Sequence, residues 1–319
     1  MAACAICGNV SGNRDFTARE MMFGTRDQFP YFECGACGCL QAADIPPDLE
    51  KYYPAGYYSL ENRKPARPNP LRSFLVRTRA RYCLLGSNRL WGLRSKRYGS
   101  YEWFKKTGAR FDSRILDVGC GSGRRLLDMA AEGFTNLTGQ DIFLPESIDY
   151  GNGVRILKTG LSELTGEYDL IMLHHSLEHM PAPAAVLREA HRLLAPEGYV
   201  LIRIPVAAQA WREYGADWVG IDAPRHLFVH TVASMKLLAE RSGFETADVV
   251  FDSGALQFWA SELIRRDLPL METTAQGLRS RKSLFGWREM RRFKRRAAEL
   301  NRQGEGDAAC FYLRGSKGG

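Results

Sequence analysis

The sequence predicts an α/β fold class in which a doubly wound, mostly parallel sheet follows a small metal-binding ribbon. Five of the eight cysteines lie within the first 39 residues, and four of these five form two Cys-x-x-Cys pairs. After Phe111 the pattern changes to short apolar runs that alternate with helical segments, which favours a parallel sheet with helices on both faces. The first apolar run leads into a glycine-rich loop that opens a helix, and open α/β sheets bind ligands at this edge.

The composition is typical of a globular protein, with 45% hydrophobic and 25% charged residues in a chain of 319. We expect one large domain and a smaller one. The sequence has no apolar run of about 18 residues, so no membrane span is predicted. Its first residues lack the basic region and apolar stretch of a signal peptide, so we expect a cytoplasmic protein.

The cysteine pairs predict a structural zinc site in an N-terminal ribbon, residues 1–42. Cys4 and Cys7 form one pair and Cys34 and Cys37 the other, with 26 residues between the pairs. Two such pairs close a tetrahedral thiolate site, and in a reducing compartment this is favoured over disulfides, a redox dithiol or a chance cluster. Cys39 is either a spare thiol or an alternative ligand to Cys37.

Residues 43–106 are interpreted as a connector and a helical extension. The proline-rich stretch 64–70 is the predicted linker between domains. From Leu71 the apolar spacing predicts an amphipathic helix with a break near Gly86. We favour a helical extension packed on the main domain over a cover for substrate or a contact with a membrane surface.

Residues 107–319 are assigned to the main domain. Its pattern predicts strands at 115–118, 137–142, 154–157, 170–173 and 199–204, helices at 123–132, 144–150 and 183–194, and late strands near 246–251 and 308–313. A basic helical insertion is expected at about residues 255–307, between the two late strands.

The glycine loop carries the first chemical signal. It runs from Asp117 through Gly119, Cys120 and Gly121 to Gly123. A dinucleotide site would have its third glycine one residue later, where Arg124 stands, so the nicotinamide fingerprint fails. A second acid, Asp141, follows Gly123 by 18 residues, at the end of the second strand.

Residues 117–123 and Asp141 resemble the first motif and the second-strand acid of class I S-adenosylmethionine-dependent methyltransferases. The resemblance implies a Rossmann-like methyltransferase fold, with the last strand of its sheet antiparallel. It also implies that Asp117 orients the amino-acid end of S-adenosylmethionine and that the Asp141 carboxylate accepts hydrogen bonds from the ribose hydroxyls. The other cofactor-binding residues expected from it are Gly119, Cys120, Gly121, Gly123, Ile142, Leu161, Ser162 and His174.

The end of the fourth strand continues the resemblance. In these enzymes the residue after this strand faces the cofactor and the next few line the substrate pocket, so His174 and His175 are candidate catalytic residues. His175, Glu178 and His179 have a spacing that can converge on a metal. Ubiquinone-biosynthesis O-methyltransferases carry a similar element with glutamate at the position of His175, and their metal positions a catechol. We favour a structural or pocket-orienting role, and no second metal is predicted.

An aromatic and charged loop, residues 211–228, follows the fifth strand. It resembles a stretch in bacterial methyltransferases that combine a cysteine module, a tyrosine-rich connector and this core, often associated with cell-surface sugars and secondary metabolites. His226 is the leading candidate for a general base, because imidazole titrates near neutral pH. Asp222 and Arg225 are its expected partners. The equal alternative is that His226 only ties the loop to a helix.

The predicted function is methyl transfer to an oxygen or carbon of a small-molecule acceptor, above all a sugar or sugar nucleotide. Sugar C-methyltransferases are similar in carrying an N-terminal zinc module, and the net charge of +8 fits an anionic, nucleotide-linked sugar. Basic stretches at 63–110 and 279–302 make a nucleic-acid (RNA) methyltransferase the alternative function. It is not favoured, because no feature of the sequence predicts recognition of a base. A non-catalytic adaptor is the third alternative. The sequence specifies no oligomeric state.

Overall fold

The computed structural model describes residues 3–53, 69–86, 100–274 and 277–316. Most of the predicted linker at 64–70 and the part of the helical extension at 87–99 lie outside these ranges. No helix in the described ranges is both long and apolar enough to cross a membrane.

The strands and α-helices alternate through most of the chain. The strands are β1 (Arg14–Arg19), β2 (Gln28–Glu33), β3 (Leu40–Ala42), β4 (Arg114–Val118), β5 (Asn136–Gln140), β6 (Ile148–Asp149), β7 (Val154–Leu157), β8 (Tyr168–His174), β9 (Leu194–Pro205), β10 (Phe228–Val229), β11 (Phe244–Phe251), β12 (Met271–Thr274), β13 (Gly277–Ser280) and β14 (Ala308–Gly315). The helices are α1 (Pro70–Leu85), α2 (Ser100–Thr107), α3 (Arg124–Glu132), α4 (Pro183–Leu193), α5 (Gln209–Tyr214), α6 (Val232–Arg241), α7 (Leu256–Arg265) and α8 (Trp287–Gln303).

The main sheet has eight strands in the order β11-β14-β9-β8-β4-β5-β7-β6. The pairs β4–β5, β5–β7, β4–β8 and β8–β9 are parallel, whereas β14 is antiparallel to both of its neighbours. The predicted α/β fold with a mostly parallel sheet is therefore confirmed, as is its antiparallel last strand. Because the strand order reverses direction at β4, the carboxyl ends of β4 and β8 border the crevice where such sheets bind ligands.

One predicted helix is wrong. Residues 144–150 contain no helix but form a bend followed by the short edge strand β6, which pairs antiparallel with β7. Pro145 disfavours a helical conformation for the residue before it. The Ser147 Oγ then accepts the Lys158 backbone N–H at 2.9 Å, and the Lys158 Nζ donates to the Pro145 carbonyl at 3.0 Å. These contacts tie the segment to the edge of the sheet.

The N-terminal ribbon is an antiparallel meander of β1, β2 and β3, and its fourth strand comes from the main domain. In the pairing of β10 with β3, Phe228 lies opposite Gln41 and Val229 opposite Leu40. The loop before β10 is joined as well, because the Ala42 N–H donates to the Leu227 carbonyl at 3.0 Å. The ribbon and the end of the 211–228 loop therefore share one sheet.

Candidate active site and cysteine ribbon

The glycine loop is held closely against the strands around it. The backbone N–H groups of Gly119 and Cys120 donate to the Gln140 carbonyl at 2.8 and 3.2 Å. Gly119 has a φ of +69°, and a Cβ at this position would lie 2.7 Å from the Cβ of Ser176. No other residue fits at Gly119 without a shift of the backbone, so the loop can present its N–H groups close to a ligand.

The Asp141 carboxylate, predicted to contact the ribose, is held in place by a backbone N–H of the glycine loop. Its Oδ2 accepts the Gly121 N–H at 2.8 Å and its Oδ1 accepts the Phe143 N–H at 2.9 Å. The carboxylate thus has one backbone donor on each oxygen, and each oxygen retains a lone pair for a further donor. Ile142 and Phe143 beside it are 55% and 74% exposed, which leaves an apolar surface next to the acid.

Asp117 and His174 lie at the same edge of the sheet. Asp117 pairs in register with Met172, and the Ser176 Oγ donates to the Val118 carbonyl at 2.8 Å. Burial raises the pKa of the Asp117 carboxyl to about 7, although the charge of Arg125 opposes this shift. The His174 Nε2 is buried and has no hydrogen-bond partner among the described residues, and burial lowers the pKa of this imidazole far below its usual value.

These residues fit S-adenosylmethionine. The left-handed glycines leave the backbone accessible, Asp141 has free lone pairs, and His174 presents an unsatisfied nitrogen. Leu161 and Ser162 follow β7 at the same edge of the sheet, half-buried and exposed respectively. Their contact with adenine stays a prediction.

His175 supports a neighbouring acid. It has a φ of +54°, and its backbone N–H donates to the Arg203 carbonyl at 2.8 Å. The Arg203 guanidinium donates to the His175 Nε2, so the Nδ1 carries the proton and donates to the Glu178 Oε1 at 3.2 Å. Burial alone would raise the pKa of Glu178, but this hydrogen bond and the nearby histidines lower it to about 2.

His179 and His226 come from separate segments and meet, with ring centroids 4.7 Å apart. The His179 Nδ1 donates to the Arg225 carbonyl at 2.8 Å, and the His226 Nδ1 donates to the Gly220 carbonyl at 2.9 Å. Burial lowers the pKa of His179 to about 4. The convergent group of potential ligands is Glu178, His179 and His226, each with a ligand atom within 4.8 Å of the others. The spacing pattern instead suggested His175 as the third member.

A buried network of ion pairs, which the sequence did not predict, holds the 211–228 loop next to His226. The Arg225 guanidinium is fully buried, donates to Asp222 at 2.7 Å and to Glu20 at 3.0 Å, and reaches the Tyr52 carbonyl at 3.0 Å. Asp222 and Arg225, both expected to serve His226, are therefore paired mainly with each other. Glu20 belongs to the ribbon, so this network joins the ribbon to the loop.

The four predicted zinc ligands converge. The Sγ atoms of Cys4, Cys7, Cys34 and Cys37 all lie within 4.8 Å of one another. Burial raises the pKa of the Cys34 thiol, but backbone N–H donors, mainly from Cys37 at 3.5 Å, lower it to about 6. Cys39 lies apart, fully buried with its Sγ 3.8 Å from the His230 Nδ1, which favours the spare thiol over an alternative ligand.

The sequence matches known methyltransferases. The family model described as a methyltransferase domain matches residues 76–249, more than half of the chain. The ubiquinone biosynthesis O-methyltransferase of Pseudomonas aeruginosa (strain UCBPP-PA14) is 28% identical over 167 residues, which cover 46% of this chain and 71% of that protein. Its counterpart in Xanthomonas oryzae pv. oryzae (strain PXO99A) is 33% identical over 135 residues, which cover 37% of this chain and 56% of that protein.

A solved structure is also similar. It is the 1,6-didemethyltoxoflavin-N1-methyltransferase of Burkholderia thailandensis, with bound 1,6-didemethyltoxoflavin and S-adenosylhomocysteine. The match has a TM-score of 0.41 and 15% identity, and it covers 88% of this chain and 96% of that chain.

Proposed function

The chain belongs to the methyltransferase domain family, and we propose that this S-adenosylmethionine-dependent methyltransferase acts on an oxygen or carbon of a small molecule, a sugar or sugar nucleotide. One observation carries the proposal: the glycine loop, Asp141 and His174 lie together at the carboxyl edge of the sheet, where the histidine-rich turn and the 211–228 loop also begin. A cofactor subsite and an acceptor subsite are thus adjacent.

The cofactor would be held by the glycine loop and by the two acids. Asp141 would accept the ribose hydroxyls through its remaining lone pairs, and Asp117 would accept the cationic amino group. S-adenosylmethionine supplies a methyl group that bonds to the acceptor as the carbon–sulfur bond breaks, with the bonding electrons going to sulfur. Because that methyl group is already activated, alignment of the acceptor accounts for most of the rate.

His226 is the residue proposed to act on the acceptor. Its Nδ1 donates to the Gly220 carbonyl, which leaves the lone pair on Nε2, and its side chain is 12% exposed. This tautomer can take up the proton that a hydroxyl or an acidic carbon loses. His174 and His175 are the competing candidates, although His174 is partly buried beside Trp103 and His175 is bound to Arg203 and Glu178.

We also propose that Cys4, Cys7, Cys34 and Cys37 bind one structural zinc ion. Their convergence and the backbone N–H donors to Cys34 support thiolate ligation. The zinc would order the ribbon, and through the pairing of β3 with β10 the ribbon would support the loop that carries His226.

A phenolic hydroxyl is the second candidate acceptor, because the curated relatives are named for ubiquinone biosynthesis. RNA is the third. An open cleft of about 580 Å³ along α8 is lined by Trp287 and five arginines, but its lining includes none of the predicted site residues.

The test is a product screen with S-adenosylmethionine against nucleotide sugars, quinols and RNA, read by mass spectrometry. We expect a methylated sugar nucleotide with the native protein and with a His191→Gln control, at an exposed position of α4, and its loss in His226→Gln. Methylation of RNA or quinol alone would replace the sugar assignment. Protein that fails to bind S-adenosylmethionine in calorimetry would support the non-catalytic adaptor.

A further inference from the structure

The helix α8 presents a face of arginines to solvent. Seven of its 17 residues are lysine or arginine and two are glutamate, so α8 alone carries a net charge of +5, against +8 for the whole chain. Side chains three, four and seven residues apart lie on the same face of a helix. The exposed residues with this spacing, which we call the arginine face, are Arg288, Arg291, Arg292 and Arg295.

No acid neutralises the arginine face within the part of the chain that the structure describes, because none of its four guanidinium groups has an ion pair there. Arg296 on the same helix differs, since its Nη1 donates to Glu213 at 3.0 Å. Unpaired arginines that are close together create a positive potential, and a guanidinium can bind a phosphate group through two parallel hydrogen bonds. The arginine face therefore fits a partner that presents several phosphates.

Packing holds the arginine face outward. The buried side of α8 consists of Phe293, Ala297 and Leu300. The Phe293 ring stacks on Phe258 of α7, with ring centroids 5.7 Å apart. The ion pair of Arg296 with Glu213 joins α8 to α5, where the 211–228 loop begins. The helix that would meet the partner is thus fixed to the loop that carries His226.

Two exposed apolar side chains lie at the N-terminal end of α8. Leu284 is 59% exposed and Trp287 is 69% exposed. Tryptophan is enriched where a membrane meets water, and apolar side chains beside cations are typical of proteins that bind the surface of anionic membranes. We propose that α8 docks this protein on a bilayer of anionic phospholipids, with the arginine face on the lipid phosphates and with Leu284 and Trp287 among the acyl chains.

A lipid surface fits these residues better than RNA does. Binding of single-stranded RNA combines phosphate contacts with aromatic rings on which bases stack. Phe293 is buried, and the Arg288 guanidinium carbon lies 5.5 Å from the centroid of the Trp287 ring, so that one face of this ring is already covered. An exposed leucine offers no surface for stacking, whereas it gains free energy on entering the acyl region.

The docking surface lies outside the methyltransferase core. The family model matches residues 76–249, and α8 begins at Trp287. The proposal is therefore independent of the cofactor site and of the acceptor that is methylated.

The test is sedimentation of the protein with vesicles made of equal parts of phosphatidylglycerol and phosphatidylcholine, and with vesicles of phosphatidylcholine alone. We expect binding to the anionic vesicles only, and weaker binding as salt is added, because the screening length is already about 8 Å at physiological ionic strength. The double variant Arg291→Gln/Arg295→Gln should lower the affinity by about 25-fold, or about fivefold for each arginine. Arg188→Gln/Lys236→Gln is the matched control, because it removes the same charge from exposed positions of α4 and α6.

Trp287 provides a second measurement. Tryptophan emission should shift to shorter wavelength when anionic vesicles are added, and Trp287→Ala should abolish this shift. Native vesicle affinity in the Arg291→Gln/Arg295→Gln variant, or an equal loss of affinity in the control variant, would overturn the proposal. Binding of a single-stranded RNA through the same arginines, without binding to vesicles, would also overturn it and would make nucleic acid the partner of α8.

Discussion

Replacing Arg225 with methionine should destabilise the protein by about 3 to 5 kcal/mol, because it removes one partner of a buried ion pair. Arg225 and Glu20 are both fully buried, and their atoms lie 3.0 Å apart. Asp222 would lose donors at 2.7 and 3.0 Å. Glu20 would keep four backbone N–H donors, from residues 22–25. Losing the Arg225 guanidinium therefore costs Glu20 less than it costs Asp222. The substitution would thus remove a large share of a typical stability of about 5 to 15 kcal/mol.

The assay is urea unfolding followed by circular dichroism, with zinc release measured in parallel. Arg241→Met is the matched control, since exposed Arg241 also bonds the ribbon, at the Ile6 carbonyl, and should cost only about 1 kcal/mol. In a double-mutant cycle, Glu20→Gln and Arg225→Met should cost less together than the sum of the two single changes. A loss below about 1 kcal/mol for Arg225→Met would refute the view that this network joins the ribbon to the loop.

Four further predictions concern the ligand sites. Elemental analysis should find one tightly held zinc ion in the ribbon and its loss in Cys34→Ser, whereas folded, metal-free native protein would contradict the site. Asp141→Ala should weaken S-adenosylmethionine binding by about 1 to 3 kcal/mol in calorimetry, and unchanged affinity would mean that the acid does not contact the ribose. Because Asp117 has a pKa of about 7 and must be ionised to accept the cofactor's ammonium, S-adenosylmethionine affinity should fall up to tenfold for each unit below about pH 7. Asp117→Asn should abolish this pH dependence of the affinity. An unchanged pH dependence in that variant would exclude Asp117 as its source. His226→Ala should keep cofactor affinity while turnover falls by about 10² to 10⁴-fold, and native turnover in this variant would mean that the base lies elsewhere.

Several features could be read from the sequence because they depend on short-range patterns. The apolar strand before Gly119, the helix after Gly123 and the acid at the end of β5 each follow from residues within one or two elements. The two cysteine pairs are local as well, since each pair would form a single turn around a bound metal. The error at residues 144–150 shows the limit of such patterns, because a seven-residue segment at a sheet edge is decided by its contacts with β7.

The sequence by itself thus determined the parallel sheet, the glycine loop with its acid, and the four cysteines that converge in the ribbon. Only the tertiary structure brought His226 to Glu178 and His179, and paired Arg225 with Glu20 across 205 residues of chain. Periodicity and motif spacing constrain neighbours along the chain, whereas a buried charge takes whichever partner the packed fold brings to it. That is why the role of His175 and the support of the 211–228 loop by the ribbon became visible only when all these segments were folded together.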